Sequence, residues 1–235
     1  VAIKPDFAGM HNNLGNVYRE LGELDAALKS YKKAIAIKPD FVEAFFNQGI
    51  TFQAQDQLSS AVKSYKDAIT INPDYFEALN NLGVALNSLG EIDEAINCYK
   101  SAIAIKPDYA EAHNNLGTIF AELKQFKNAE ETFKQAILLN PKYARAHYNL
   151  GNTLKDLRKI YEAEESFRKA IVINPNYTEA HNNLGNIMKS HDRLEDAEAS
   201  YRKAIAINPD YAEAHNNLGN IMKSHDRLED AEASY

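Results

Sequence analysis

Apolar and small residues recur along this chain in steps of three and four. Between Pro107 and Asn140, one helical face carries Ala112, Leu116, Ile119, Phe120 and Leu123, and a second carries Phe126, Ala129, Phe133, Ala136 and Ile137. This pattern predicts two amphipathic helices joined by a short turn. The same pattern returns along the whole chain: Pro5, Pro39, Pro73, Pro107, Pro141, Pro175 and Pro209 follow one another every 34 residues without insertion or deletion. A fixed period of this length marks a repeat array, in which a unit buries its apolar face only by stacking on its neighbours.

Element boundaries are written into the repeat. Proline lacks an N–H and restricts the residue before it, so it ends the second helix of each unit. The residue after it is expected to cap the next helix, and Asp40/Glu43, Asp74/Glu77, Asp108/Glu111, Asn176/Glu179 and Asp210/Glu213 have capping-box spacing. Copies one and five depart from this, with Asp6/Gly9 and Lys142/Arg145. With Ala110 as position 1, position 8 is Gly15, Gly49, Gly83, Gly117, Gly151, Gly185 and Gly219. Position 20 is alanine from Ala27 to Ala231, position 24 is aromatic from Tyr31 to Tyr235, and position 27 is alanine from Ala34 to Ala204. The small residues let paired helices approach while the aromatic ring fills the gap. Enlarging one of them costs about 1–3 kcal/mol by overpacking.

These residues resemble the tetratricopeptide repeat family. The resemblance implies an all-α fold, a right-handed superhelical solenoid of helix–turn–helix units at 5–38, 39–72, 73–106, 107–140, 141–174, 175–208 and a truncated 209–235, forming one continuous domain. Residues 1–4 match the end of a preceding repeat helix, as Val1-Ala2-Ile3-Lys4 echoes Ile35-Ala36-Ile37-Lys38. The chain is therefore expected to be a piece of a longer array whose apolar ends favour end-to-end self-association. Two positions depart from the family pattern. The usual Trp at position 4 is replaced by His11, Phe45, Leu79, His113, His147, His181 and His215, and position 7 is Gln48 in copy two. Tyr177–Tyr201 and Tyr211–Tyr235 differ only at Thr178 against Ala212, which reads as a recent duplication.

In this family the first helix of each unit lines a concave side. Position 6 there is Asn13, Asn47, Asn81, Asn115, Asn149, Asn183 and Asn217, although asparagine is a mediocre helix former. A carboxamide can pair with both the N–H and the C=O of a peptide, so the row suits an extended backbone read without regard to its side chains. The row is similar to that of the superhelical arm of O-linked N-acetylglucosamine transferases, which implies substrate-backbone binding. The alternative is that each asparagine bonds a neighbouring carbonyl or the next helix and has been copied along the array. A secondary groove comprises Asn152, Asn186 and Asn220 at position 9 with Lys155, Lys189 and Lys223 at position 12, suited to acidic or carbonyl-rich ligands. Phe46, Ile50 and Val84 form an apolar patch that anchors a ligand side chain or packs on the neighbouring unit.

Composition narrows the function. With 26 basic against 33 acidic residues and a formal charge of −7, no global basic field draws a nucleic acid partner. Cys98 is the sole cysteine, which fits a cytoplasmic setting; recurring histidines a repeat apart do not converge on a metal. No apolar run reaches the roughly 20 residues needed to span a membrane. No phosphate loop, nucleophile elbow or His-Glu-x-x-His is present. The expectation is a non-enzymatic protein–protein interaction module that needs no cofactor and holds an extended protein or peptide ligand in a concave asparagine-lined groove. The alternatives are the substrate arm of a larger glycosyltransferase-like enzyme and a self-assembling scaffold.

Overall fold

The computed structural model describes residues 7–224. Among them the chain forms thirteen helices and no strand: α1 (Phe7–Glu20), α2 (Leu24–Ile37), α3 (Val42–Ala54), α4 (Leu58–Ile71), α5 (Phe76–Ser88), α6 (Ile92–Ile105), α7 (Ala110–Glu122), α8 (Phe126–Leu139), α9 (Ala144–Asp156), α10 (Ile160–Ile173), α11 (Thr178–Ser190), α12 (Leu194–Ile207) and α13 (Ala212–Ser224). The expected helix end at 1–4, the Asp6 cap, Ala231, Tyr235 and the second helix of the seventh unit lie outside the described residues. The chain divides within α7 into two compact units, Val1–Ile119 and Phe120–Tyr235. Each is an all-α solenoid of stacked helix hairpins.

Within both units the small positions of the repeat are where helices meet. In the first, Ala27, Ala34, Ala44, Ala61, Ala68, Ala78, Ala95 and Ala102 have no exposed surface, and Tyr31, Tyr65 and Tyr99 fill the space beside them. In the second, Ala146, Ala163, Ala170, Ala180, Ala197 and Ala204 play the same part around Phe167 and Tyr201. Position 8 has no room for a methyl group. A Cβ on Gly49 would lie 2.5 Å from Tyr65 Cε1, and one on Gly185 would lie 2.6 Å from Tyr201 Cε1.

The turn inside each hairpin closes the first helix with a Schellman motif. Glu23 N–H bonds the carbonyl of Tyr18 at 2.8 Å and Gly22 N–H that of Arg19 at 3.0 Å, and the pattern returns at Gln57→Phe52, Glu91→Leu86, Lys159→Leu154 and Arg193→Met188. The motif needs a left-handed residue at position 15. Gly22 and Gly90 supply it at no steric cost, whereas Asp56, Lys124, Arg158 and Asp192 hold φ near +60° with a side chain in place.

The connection between hairpins corrects the expected capping boxes. Helices α3, α5, α9 and α11 are preceded by Phe41, Tyr75, Tyr143 and Tyr177 at the N-cap, none with a side-chain cap bond. The residue after proline instead sits in a β-turn, closed by Phe41 N–H to the Lys38 carbonyl and Tyr75 N–H to that of Asn72. Asn72, Asn140, Asn174 and Asn208 brace this turn, each Oδ1 accepting the N–H two residues on at 3.1–3.2 Å. Thus Asp40, Asp74 and Asp210 are turn residues, while Glu43, Glu77 and Glu213 fall in the first helical turn, where the helix dipole favours an anion.

Candidate functional site

Most position-6 asparagines are partly accessible on the first helices: Asn13 is exposed, Asn47, Asn81, Asn149, Asn183 and Asn217 are half-buried, and Asn115 is buried. The carboxamides of Asn47, Asn115, Asn183 and Asn217 are tied to the preceding repeat. In the first unit, Asn47 Nδ2 donates to Asn12 Oδ1 at 3.1 Å, and Asn115 Nδ2 to Asn80 Oδ1 at 3.0 Å. Asn115 Oδ1 also accepts from Asn114 Nδ2 at 3.4 Å, and Asn81 Oδ1 from Asn80 Nδ2 at 3.4 Å. In the second unit, Asn183 Nδ2 reaches Asn152 Oδ1 at 2.9 Å and Tyr148 Oη at 3.3 Å. Asn217 Nδ2 reaches Asn182 Oδ1 at 3.0 Å and Asn186 Oδ1 at 3.1 Å.

This pattern divides the two ends of the carboxamide. An amide nitrogen has two hydrogens, and Asn183 and Asn217 use both against the repeat before them. Their oxygens accept no bond from the described residues, and the same holds for Asn13 and Asn47. Asn183 and Asn217 therefore present oriented acceptors whose donors are already engaged.

Around the row, position 9 joins the repeats internally. Asn16 Oδ1 accepts from Tyr31 Oη at 2.8 Å, and Asn186 Oδ1 accepts from Tyr201 Oη at 2.8 Å as well as from Asn217. Burial raises the pKa of Tyr201 to about 12, so its hydroxyl stays a donor at neutral pH. Asn152 is half-buried and Asn220 exposed. Lys189 and Lys223 are exposed and Lys155 is half-buried; Lys155 and Lys189 have no ion-pair partner among the described residues. Phe46 packs internally, with its ring centroid 4.8 Å from that of Tyr75 and 6.0 Å from that of Tyr65. Tyr148, at the same repeat position, stacks on Tyr177 at 4.8 Å. Ile50 and Val84 are half-buried.

Family models described as TPR repeat match residues 15–56, 51–90, 85–124 and 189–225. Others, described as tetratricopeptide repeat, match 110–143, 144–177 and 166–199. The chain belongs to the tetratricopeptide repeat family. Similar solved structures include the APC/C hetero-tetramer Cut9–Hcn1, at 20% identity and a TM-score of 0.80. That match covers 94% of this chain but 44% of the other, so the chain spans less than half of its length. A tetratricopeptide repeat protein from Parabacteroides merdae matches at 21% identity over 97% of this chain and 90% of that one, TM-score 0.75. YrrB, described as a TPR protein with an unusual peptide-binding site, matches at 23% identity over 78% and 95%, TM-score 0.61. No curated protein matches the chain.

The tetratricopeptide histidines at position 4 have a role that periodicity alone did not reveal. Nε2 of His113, His147, His181 and His215 lies 2.8–3.1 Å from the carbonyl of the proline six residues earlier, fastening each inter-repeat turn to the helix it starts. Burial lowers the pKa of His147 and His181, against the raising effect of that bond. No cluster of three metal-binding side chains is found among the described residues, and no described helix is long and apolar enough to cross a membrane.

Proposed function

We propose that this tetratricopeptide array binds an extended, acidic peptide segment along its first-helix face. Family membership supports a protein–protein interaction module; the peptide reading goes further, and it rests on one observation. Asn183 and Asn217 hold their amide nitrogens on the preceding repeat, which leaves fixed Oδ1 acceptors one repeat apart, along the row of first helices that also carries Lys155 and Lys189 at position 12, neither ion-paired among the described residues. The acceptors take backbone N–H groups and the lysines meet ligand carboxylates. Preorganised acceptors reduce the ordering cost of binding. In the first unit Asn47 offers an acceptor with one amide hydrogen held by Asn12, and Asn13 offers one without such a tether among the described residues, with Arg19 at position 12 of its copy. Asn115 is withdrawn into the packing, and Asn81 already accepts from Asn80.

The test is selection from an unbiased peptide library with the purified protein, followed by fluorescence anisotropy. Charge reversal at Lys155→Glu and Lys189→Glu should leave the helical signal intact and weaken acidic hits at least tenfold, and added salt should do the same. Acidic peptides that bind the reversed variant equally well would refute the reading.

A further inference from the structure

Outside the first-helix face, the packing of α2, α3 and α4 leaves a cleft of about 390 Å³ in the first unit. Its apolar walls are Ile35, Phe45 and Phe52, and its bed is Gln48. Copies three to seven carry leucine at this repeat position, at 4–7% exposure. Gln48 is equally buried, at 8%, so copy two has put an amide where the fold elsewhere uses a hydrocarbon.

That amide is incompletely satisfied from within. Gln48 Oε1 accepts from Ser64 Oγ at 3.2 Å, but the same hydroxyl also points to the Ser60 carbonyl at 3.1 Å, and it has one hydrogen to give. Gln48 Nε2 finds no acceptor among the described residues. The Gln48 side chain is more than nine-tenths buried, and the cleft is the space in which its remaining donor can meet a ligand acceptor in place of water. Lys32 and Lys63 also line the opening without ion-pair partners among the described residues, and against them stands one carboxylate, Asp67. The local charge is therefore positive.

The second unit supplies an internal comparison. The same place in copies five and six holds a cleft of about 340 Å³, but Leu184 replaces Gln48, Ala199 replaces Lys63 and Lys203 replaces Asp67. The cleft belongs to the repeat architecture; the amide donor belongs to copy two.

We infer that the Gln48 cleft is a binding site for a small carboxylate with an apolar, ring-sized body. The body lies on Phe45, Phe52 and Ile35, the carboxylate accepts from Gln48 Nε2, and Lys32 and Lys63 balance its charge. Such a mixture of apolar wall and few convergent polar groups is what small-molecule sites of this size share. The site is separate from the asparagine row, so either proposal can fail alone.

The test uses phenylacetate as probe and phenethyl alcohol as its uncharged counterpart, measured by ligand-observed NMR and calorimetry on the whole chain. Phenylacetate should bind saturably, with phenethyl alcohol at least tenfold weaker. Gln48→Leu installs the residue that other copies carry, so it should melt no lower than the parent and lose at least tenfold in phenylacetate affinity. Lys63→Ala, matching Ala199, should weaken phenylacetate but not the alcohol, and it carries the comparison if Gln48→Leu proves unstable. Absence of saturable phenylacetate binding, or equal binding by the parent and Gln48→Leu, would overturn the assignment.

Discussion

Replacing Gly49 by alanine sets two known effects against each other. Alanine is the better helix former by about 1 kcal/mol, so on propensity alone the change should stabilise α3. Geometry opposes it. The new Cβ would sit 2.5, 2.7 and 3.0 Å from Cε1, Cδ1 and Cζ of Tyr65, roughly 1 Å inside ordinary carbon–carbon contact at the closest point. The ring cannot swing aside cheaply: Tyr65 is fully buried, its hydroxyl donates to Gln53 Oε1 at 3.0 Å, and the tilted Phe46 ring neighbours it at 6.0 Å between centroids. Overpacking of this kind costs about 1–3 kcal/mol, and a ring pinned at both ends belongs at the upper limit. Subtracting the propensity gain leaves a net loss of about 2 kcal/mol. Urea unfolding should report it, together with hydrogen exchange in α3 and α4, because repeat arrays open locally. In a Tyr65→Leu background the methyl has space, so the same substitution should cost little or nothing. An equal loss in both backgrounds, or stabilisation in the parent, would refute the steric reasoning.

Other substitutions test the remaining joints. Arg158→Gly should stabilise by about 1 kcal/mol in chemical denaturation, because a residue at φ +62° gives way to one that adopts that conformation freely. Tyr201→Phe removes a 2.8 Å donor to Asn186 and should cost about 1 kcal/mol by the same assay, although Phe167 fills the equivalent place in copy five. Acidification should destabilise in two stages, read as melting temperature against pH. His147 and His181 have folded pKa values depressed below the ordinary 6.5, so the unfolded chain binds protons first and stability falls as pH drops from about 6.5 through the folded values. For Glu130 and Glu164, burial works to raise the pKa, but hydrogen bonds from Lys134 and Lys159, and from Arg168 and Arg193, outweigh it. A second loss therefore follows as pH falls below about 4.5.

Much of the fold is legible in the repeat. Helical periodicity, the proline spacing and the pairing of a position-8 glycine with a position-24 ring all follow from hydrophobic faces and from where bulk is tolerated. The capping was misplaced by the same regularity: Pro-Asp followed by Glu at capping-box spacing is indistinguishable in text from a cap, and only the β-turn closed at Phe41 and Tyr75 shows that the helix begins later. The left-handed residue at position 15 is spelled glycine at Gly22 and Gly90 but is masked by side chains at Asp56, Lys124, Arg158 and Asp192. At the candidate site, the asparagine row was visible as composition. The direction of its amides was not, since that depends on partners 31 and 35 residues away, such as Asn186 and Asn182 for Asn217.

The account turns on the claim that Asn183 and Asn217 offer acceptors to a peptide backbone. It is tested most directly by comparing a library-selected peptide with versions methylated singly at each backbone nitrogen, by fluorescence anisotropy. N-methylation at two positions within the bound segment should weaken binding about tenfold each, the equivalent of about 1.4 kcal/mol per lost bond. Asn217→Ala should abolish the penalty at one of them. Full tolerance of methylation along the whole peptide would contradict the acceptor row.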